Sequence, residues 1–282
     1  FDVFLKAALD LGADYVATGH YCQRQENQDG SFSLLAGADP GKDQSYFLCQ
    51  LSQAQLEKAL FPIGHLQKSE VRKIALDHGL ITAAKKDSQG LCFVGKIALP
   101  TFLQQQLAPK EGAVIEVSPH LPIYKAYQKL EPSLEQIEAL AAPFSYIPTN
   151  GKQVTTHQGA HYYTIGQRKG LHIGGRPEPS FVVGIDTIQN IVYSGQTELH
   201  PGLNRWALKL EADTLSWLHV HPTFEKTGVL PCLVRIRYRQ PLQKAQLIKK
   251  QKEFYILFET KQKGITPGQF AAWYLDNELL GS

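Results

Sequence analysis

Residues 85–96, KKDSQGLCFVGK, place a cysteine in a loop of charged and small residues. The thiolate is the reactive form of cysteine, and neighbouring cations lower the pKa of a thiol. Two lysines precede Cys92, and the glycines on either side of it allow the backbone to approach a ligand closely. Cys92 is therefore a candidate nucleophile. The alternative, a half-buried structural thiol, stays open here because buried inert cysteines are common.

The other three cysteines point to no metal or disulfide framework. Cys22, Cys49 and Cys232 are far apart in the chain and form no CxxC pair with one another or with Cys92. This spacing excludes a zinc knuckle or a disulfide scaffold and indicates a reducing, cytoplasmic setting. Cys49, inside the apolar run YFLCQL, and Cys232, on an alternating segment, are predicted to be core residues, while Cys22 is left undecided.

The segment CLVRIRYRQ, residues 232–240, alternates with a period of two. As a strand it would place Cys232 and Tyr238 on one face, with Val234 and Ile236, and the three arginines on the other: Arg235, Arg237 and Arg239. A row of arginines beside a tyrosine can hold phosphates and stack a base. A plain solvated face explains the same pattern, and both interpretations remain open at this point.

Two further polar groups are ambiguous. His157 and His161 have the four-residue spacing of helical metal ligands, but the threonines and glycine around them make a poor helix, so we predict no metal site. The cluster Lys42-Asp43-Gln44-Ser45 precedes an apolar segment. It is either an N-terminal cap without further function or a loop at a strand-end cleft that touches a base.

The amino-terminal third has the pattern of an α/β layer. Apolar residues share one face of a helix predicted over residues 1–11. Two more helices are predicted, over 52–60 with a capping box from Ser52 to Gln55, and over 69–78 with Ser69 as its cap and Val71, Ile74 and Ala75 facing inward. Short strands are predicted at 15–17 and 81–84, and Asp29-Gly30 indicates a hairpin. Thr18-Gly19-His20 follows the first strand at its carboxyl end, where ligands bind in open α/β sheets.

The remainder of the chain is mostly β. Residues 113–117 and 181–194 predict strands, the latter a hairpin, and residues 130–148 predict an insertion with a short helix. From residue 205 onward short alternating segments predict a small β-barrel. The expected fold class is thus α/β plus β, with domains at 1–97, 98–203 (with an insertion near 118–150) and 204–282.

Composition excludes several classes of protein. The 282 residues are 43% hydrophobic and 20% charged, with a net charge of +3, and they contain neither an apolar run long enough for a membrane span nor a signal peptide. Two segments, 151–176 and 228–252, are basic and contain no acidic residue, as suits a polyanionic partner. The sequence begins at Phe1 and contains no Met, so we expect residues upstream of it.

Six stretches in order resemble the tRNA-specific 2-thiouridylase family from one end of the chain to the other, except around 118–150: LGADYVATGHY, GKDQSYFL, KKDSQGLCFVG, YYTIGQRKGL, RYRQP and TPGQFAAWY. The resemblance implies an ATP-dependent, Mg²⁺-requiring sulfurtransferase that adenylates the wobble uridine of tRNA, position 34, and thiolates C2 through a cysteine persulfide. It implies a PP-loop (adenine-nucleotide α-hydrolase-like) domain, a central mostly-β domain and a carboxyl-terminal barrel that binds tRNA.

The same resemblance implies roles for individual residues. Cys92 matches the persulfide cysteine of the family's DSxGxCF motif, and Gly19 matches a backbone contact to ATP. Several other residues match positions that contact tRNA: His20, Lys42, Asp43, Gln44, Arg237, Tyr238 and Gln269. The implied partners are tRNA and a sulfur-donor protein, and no membrane.

Two parts of the family pattern do not occur among these residues. The phosphate loop SGGxDS and the partner cysteine of a DxxCN motif, which would form a disulfide with the persulfide cysteine, are expected upstream of Phe1. The alternative function is a non-catalytic tRNA- or RNA-binding module. A cysteine hydrolase would need a general base near Cys92, and the sequence nominates none.

Overall fold

A computed structural model describes residues 1–85, 102–105 and 107–282, so Cys92 lies outside the described residues. The chain divides into two compact units. The first comprises Phe1–Lys86, Leu210–Ile256 and Gln269–Ser282, and the second comprises Asp87–Lys209 and Leu257–Gly268. No helix of the described ranges combines the length and the apolar composition that crossing a membrane requires.

The first unit opens with an α/β segment whose elements are α1 (Asp2–Asp10), β1 (Val16–Ala17), α2 (Gln53–Glu57), β4 (Ala59–Leu60) and α3 (Lys68–Asp77). Strands β1 and β4 are parallel. The predicted capping box of α2 is confirmed, since the backbone N–H of Gln55 donates to Ser52 Oγ at 3.3 Å and the Ser52 N–H donates to Gln55 Oε1 at 2.9 Å.

Three sequence predictions in this segment are wrong. The cap of α3 is Gln67 rather than Ser69, because the Gln67 N–H donates to Glu70 Oε2 at 2.7 Å one turn ahead. Residues 81–84 form turns and no strand, closed by the Lys85 N–H on the Thr82 carbonyl at 2.9 Å. The apolar residues of α3 do not face inward: Ile74 is 46% exposed, and the helix buries none of its residues.

A hairpin follows, and it belongs to the sheet of the carboxyl-terminal strands. Strands β2 (Cys22–Glu26) and β3 (Phe32–Ala36) are antiparallel and flank the predicted Asp29-Gly30 turn, where Gly30 has a φ of +81°. Leu34 of β3 lies opposite Leu279. The sheet order is β2-β3-β14-β13-β10-β11-β12, with the later strands at Val229–Arg235 (β10), Gln243–Lys250 (β11), Glu253–Lys263 (β12), Ala272–Leu275 (β13) and Glu278–Gly281 (β14).

The core of the first unit joins the hairpin, α2 and the carboxyl-terminal strands. Leu34, Leu56, Tyr274 and Leu279 are fully buried in one apolar cluster that also contains Cys22 and Cys49. Burial of this apolar area is what stabilises the sheet, at roughly 25 cal/mol per Å² removed from water. The remaining helix of this unit, Pro222–Thr227, lies just before β10 in the chain and ends at Gly228 in the left-handed conformation.

The second unit is built on a four-stranded sheet in the order β6-β5-β8-β7, with strands at Gly112–Val117 (β5), Gly151–His157 (β6), Ser180–Asp186 (β7) and Ile191–Gln196 (β8). The predicted strand at 113–117 and hairpin over 181–194 are confirmed. Successive residues alternate between two apolar clusters: Ile115 and Tyr193 lie in one, and Val114 and Val192 lie in the other. Strand β9 (Asn204–Leu210) neighbours β12.

The insertion predicted around 130–148 contains a short helix, as expected, and is anchored within the second unit. Helix α5 (Ile137–Ala141) lies in this region, and helix α4 (Pro122–Tyr127) precedes it. The Tyr127 hydroxyl donates to the Leu140 carbonyl at 3.1 Å and accepts from the Trp206 N–H at 2.8 Å. The Arg205 guanidinium donates to the carbonyls of Leu140 and Ala142. These bonds hold the insertion against strand β9.

Candidate nucleic-acid interface

The loop after strand β1 presents accessible backbone. Thr18 continues the parallel pairing, since its N–H donates to the Leu60 carbonyl at 2.9 Å. Gly19 is exposed, and a Cβ built there would meet only Ile63 Cδ1, at 4.0 Å, so a ligand has room at this backbone. The predicted strand at 15–17 is confirmed in position, as Val16–Ala17. Gly19 therefore lies just after the carboxyl end of β1, as the sequence predicted.

His20 is held by its neighbours in a half-buried position. Its Nδ1 lies 2.9 Å from Thr18 Oγ1. Burial lowers the pKa of His20 below the usual value, so the neutral imidazole is favoured near pH 7. A neutral ring can accept or donate one hydrogen bond at its outer nitrogen, which suits a contact to a base or a ribose better than a contact to a phosphate.

Asp43 is a buried carboxylate whose two oxygens are fully used. Its Oδ1 accepts from the N–H groups of Gly37 at 3.1 Å and Ser45 at 3.0 Å. Its Oδ2 accepts from Ser45 Oγ at 3.1 Å and from Arg235 Nη1 at 3.0 Å. With a side-chain exposure of 3% for Asp43 and 10% for Arg235, this is a buried ion pair. Asp43 therefore fixes the loop that carries it.

The prediction of a strand lined by three arginines is wrong. Strand β10 ends at Arg235, and residues 236–240 form a bend and a turn in place of the predicted alternating strand. The Arg235 side chain turns inward to Asp43, and its guanidinium lies 5.5 Å from the centre of the Tyr274 ring. The period-two interpretation failed because Arg235 forms a buried ion pair and the last five residues of the predicted strand, 236–240, form a bend and a turn. Arg235 has no surface from which to hold a phosphate.

Gln44 links the loop to the segment after β1. Its Oε1 accepts from the Tyr21 N–H at 3.0 Å, and its own N–H donates to the Tyr21 carbonyl at 2.9 Å. Lys42 is partly exposed, with its N–H on the Asp39 carbonyl at 3.0 Å. The prediction that this cluster caps a helix is confirmed in part. Gln44 is the residue at the cap position of the short 3-10 helix Ser45–Leu48, but the side chain that accepts from the first N–H of the helix, that of Ser45, belongs to Asp43.

Arg237 and Tyr238 lie in the turn after β10, which closes through the Gln240 N–H on the Arg237 carbonyl at 3.1 Å. The Tyr238 ring contacts Phe47 of the 3-10 helix, with ring centres 4.2 Å apart. Burial raises the pKa of Tyr46, and the charges of Arg235 and Arg237 oppose that rise. The turn and the 3-10 helix therefore form one surface.

Gln269 follows Gly268, whose φ of +81° makes the TPGQ turn, and its side chain is exposed. The next residue, Phe270, accepts a hydrogen bond from the Tyr46 hydroxyl at its carbonyl oxygen, at 2.9 Å. The 3-10 helix thus lies at the centre of the predicted tRNA positions of the first unit. The sequence argument did not select Tyr46, Phe47 or Tyr274, although the motifs GKDQSYFL and TPGQFAAWY contain them.

The three described cysteines are unreactive. Cys22, Cys49 and Cys232 are buried, and burial raises the pKa of each thiol, to about 12 for Cys232. The predictions of core positions for Cys49 and Cys232 are confirmed. A buried thiol with a raised pKa lacks the exposure and the thiolate character of a reactive cysteine, and Cys92 lies outside the described residues.

Within the described part of the chain, no group of three His, Cys, Asp or Glu residues is placed to hold a metal ion. His157 is buried at the end of β6, and its Nδ1 accepts from the Gly159 N–H at 2.9 Å. His161 lies in a separate short 3-10 helix, where its ring packs on Tyr162 with centres 4.1 Å apart. The two histidines therefore do not share a helix face, and this agrees with the prediction that the residues around them make a poor helix.

Three family domains match this chain. Residues 1–96 match the tRNA methyl transferase HUP domain, residues 142–196 match the tRNA methyl transferase PRC-barrel domain, and residues 208–282 match the Aminomethyltransferase beta-barrel domain. This succession confirms the predicted fold class: a PP-loop α/β domain, a small central β domain and a carboxyl-terminal β-barrel.

Curated relatives align along the entire chain. A protein named tRNA-specific 2-thiouridylase MnmA from Christiangramia forsetii is 53% identical to it, with all of this chain and 72% of the relative covered. The protein of that name from Flavobacterium johnsoniae is 52% identical, and the one from Karelsulcia muelleri is 42% identical, with the same coverage.

Proposed function

This chain belongs to the tRNA-specific 2-thiouridylase family, and on that premise we propose that it is a tRNA-uridine 2-sulfurtransferase. It replaces the C2 oxygen of the wobble uridine of tRNA with sulfur at the expense of ATP. The observation that carries the proposal is the 53% identity over the whole chain to a relative bearing that name. The match of residues 1–96 to a HUP domain is consistent with the use of ATP.

The chemistry requires an activated oxygen, because the C2 oxygen of uridine is a poor leaving group. In the proposed reaction this oxygen attacks the α-phosphorus of ATP, supplied as its magnesium complex, and pyrophosphate leaves. The terminal sulfur of a persulfide on Cys92 then bonds to C2, and AMP leaves with the former carbonyl oxygen. A second thiol attacks Cys92 Sγ, so the S–S bond breaks, the sulfur stays on the base, and the two cysteines end as a disulfide.

We assign the binding of ATP and the binding of tRNA to different residues. Gly19 offers an exposed backbone to ATP at the end of β1. We propose that the tRNA is bound by the surface around the 3-10 helix, through Lys42 and Gln44, Arg237 and Tyr238, with His20 and Gln269 contacting it as well. Asp43 belongs to the same motif but is buried, and we assign it the positioning of its two neighbours. Cationic side chains supply affinity for the phosphates, while the aromatic and amide groups suit the bases.

Several finer points belong to the same proposal. The sulfur reaches Cys92 from a donor protein that carries a persulfide of its own, and the reaction takes place in the cytoplasm, where its tRNA substrate is found. The domains extend over 1–97, 98–203 and 204–282.

The decisive experiment replaces Cys92 by Ser in the full-length protein and measures 2-thiouridine in substrate tRNA, with ATP and a persulfide donor supplied. We expect thiolation to fall to background while tRNA binding changes less than twofold, because one sulfur atom is exchanged for oxygen and no phosphate contact is lost. Thiolation at the wild-type rate would refute the role of Cys92.

The matched control is Cys232→Ala, which removes a thiol that is buried and protonated. It should keep its activity. The alternative, a non-catalytic RNA-binding module, predicts that the wild-type protein itself binds tRNA and forms no thiouridine under these conditions, so the same assay decides between the two functions.

A further inference from the structure

Phe47 is exposed on an otherwise buried helix. It belongs to the 3-10 helix Ser45–Leu48, whose other three residues are buried. Phe47 itself is 54% exposed. A single exposed apolar side chain is ordinary on a protein surface and implies nothing by itself. What distinguishes Phe47 is the rigidity of its support and the side chains around it.

The support comes from three separate bonds into the core of the first unit. At the start of the helix the buried Asp43–Arg235 pair fixes the backbone of Ser45. Ser45 Oγ also lies 3.1 Å from the buried hydroxyl of Tyr274. Next to Phe47, the Tyr46 hydroxyl donates to the Phe270 carbonyl. An aromatic ring held in this way loses little conformational freedom when a flat ligand covers it.

A second ring packs against the ring of Phe47. Phe47 contacts Tyr238 with ring centres 4.2 Å apart and planes inclined by 35°. Phe270, whose carbonyl oxygen accepts from the Tyr46 hydroxyl, is 49% exposed. The short distance and small inclination between Phe47 and Tyr238 mean that the two rings are stacked, so a base on the exposed ring of Phe47 would lengthen an existing stack; an aromatic face accepts any base because every base has a π-face.

The charges around these rings indicate what kind of ligand covers them. Arg237 and Arg239 flank Tyr238 in the chain, and Arg237 is partly exposed while Arg239 is exposed. The nearest carboxylate described above, Asp43, is neutralised by Arg235. An apolar protein segment gains nothing from two arginines beside its contact, whereas a base joined to phosphates does. The surroundings therefore favour RNA over a peptide.

We propose that Phe47, together with Tyr238, is a stacking platform for an unpaired base of the bound tRNA. This inference rests on the proposed function and adds a positioning residue to it. Phe47 binds through its ring face and needs no base identity, while Arg237 meets the phosphate next to the stacked base. Its contribution is to hold the RNA strand in place beside the loop that carries Lys42 and Gln44.

The test measures affinity for an anticodon stem-loop RNA with a wobble uridine, using Phe47→Ala, Phe47→Leu and Phe47→Trp in the full-length protein. Loss of one base–aromatic stack lowers the affinity by about tenfold, within a range of roughly 5- to 100-fold. We expect that loss for Ala and most of it for Leu, which keeps apolar area without a π-face, and near wild-type affinity for Trp. The slope of log affinity against log salt should not change, because no phosphate contact is removed.

Two controls separate the outcomes. Ile188→Ala removes an apolar side chain that is 92% exposed in the β7–β8 turn and should leave binding unchanged. A fully paired RNA duplex of the same length should show no difference between wild type and Phe47→Ala. Wild-type affinity for Phe47→Ala, or equal affinity for Leu and wild type, would overturn the stacking platform.

Thiolation distinguishes failure of this inference from failure of the proposed function. If the wild-type protein thiolates tRNA and Phe47→Ala binds as wild type does, the platform is wrong and the function stands. If the wild type forms no thiouridine, the function is wrong, whatever the Phe47 variants do.

Discussion

Replacing Asp43 by Ala should destabilise the first unit strongly. The substitution leaves the Arg235 guanidinium buried without its counter-charge, and removes the acceptor of the N–H groups of Gly37 and Ser45. Breaking a buried ion pair from one side costs about 3–5 kcal/mol, because the remaining charge has lost its partner in a poorly solvated place. The side-chain exposures of 3% and 10% justify that range over the smaller value for surface pairs.

A second substitution separates the two contributions to this loss of stability, the stranded charge and the missing hydrogen bonds. In Asp43→Ala/Arg235→Met the stranded charge is gone, and only the hydrogen bonds of the two N–H groups and the Ser45 hydroxyl are missing. Each such bond contributes on the order of 1 kcal/mol. Three such bonds account for about 3 of the 3–5 kcal/mol, so we expect the double variant to be less stable than wild type but more stable than Asp43→Ala alone, by up to about 2 kcal/mol.

Urea unfolding followed by tryptophan fluorescence measures these differences. Trp217 and Trp273 belong to the first unit and pack together with ring centres 4.9 Å apart, so they report on its unfolding. A Trp206→Phe background removes the third tryptophan of the chain, which belongs to the second unit. A double variant no more stable than Asp43→Ala would refute the reasoning, since the penalty would then not come from the stranded guanidinium.

Two further results are expected. Arg237→Ala should weaken tRNA binding and reduce the slope of log affinity against log salt by about 0.7–0.9, the amount for one phosphate contact. Lys125→Ala in α4 is the control. An unchanged slope for Arg237→Ala would show that Arg237 contacts no phosphate. Burial lowers the pKa of His157 and of His200, so the unfolded state takes up protons first as the pH falls. The stability this contributes is complete above the unfolded pKa of about 6.5 and is lost as the pH falls through the lowered folded values. Urea midpoints read from Trp206 at pH 7.5 and 5.5 should differ less in His157→Gln than in wild type, and equal differences would contradict the assignment.

Local patterns predicted the regular elements well. The Ser52–Gln55 capping box, the Asp29-Gly30 hairpin and the alternating strands of the second unit depend on neighbours in the chain, and the structure confirms them. Alternation predicts a strand wherever nothing else competes for the residues. At Arg235 something did compete: a carboxylate nearly two hundred positions earlier draws the side chain inward and the strand ends there.

The sequence did not predict how the apolar faces of the helices pack. The periodicity of α1 and α3 correctly predicted helices, but it could not say what their apolar faces pack against. In the structure Phe4 is 66% exposed and Leu76 is 62% exposed. An amphipathic pattern specifies a face and leaves its partner unspecified, because the partner is a matter of tertiary arrangement.

The motif GKDQSYFL shows why a resemblance and a structure answer different questions. The resemblance groups Lys42, Asp43 and Gln44 as one contact to tRNA, while the structure separates them by burial: Asp43 is inside, and its neighbours are partly exposed. A carboxylate would repel a phosphate backbone if it stood at the surface. Paired with Arg235 it adds no net charge to the surface, and its hydrogen bonds to Ser45 fix the helix that carries Phe47. The acidic residue of the motif thus contributes to RNA binding through the position of its neighbours, which is why its loss should lower stability and tRNA affinity together, whereas the loss of Lys42 should lower affinity alone.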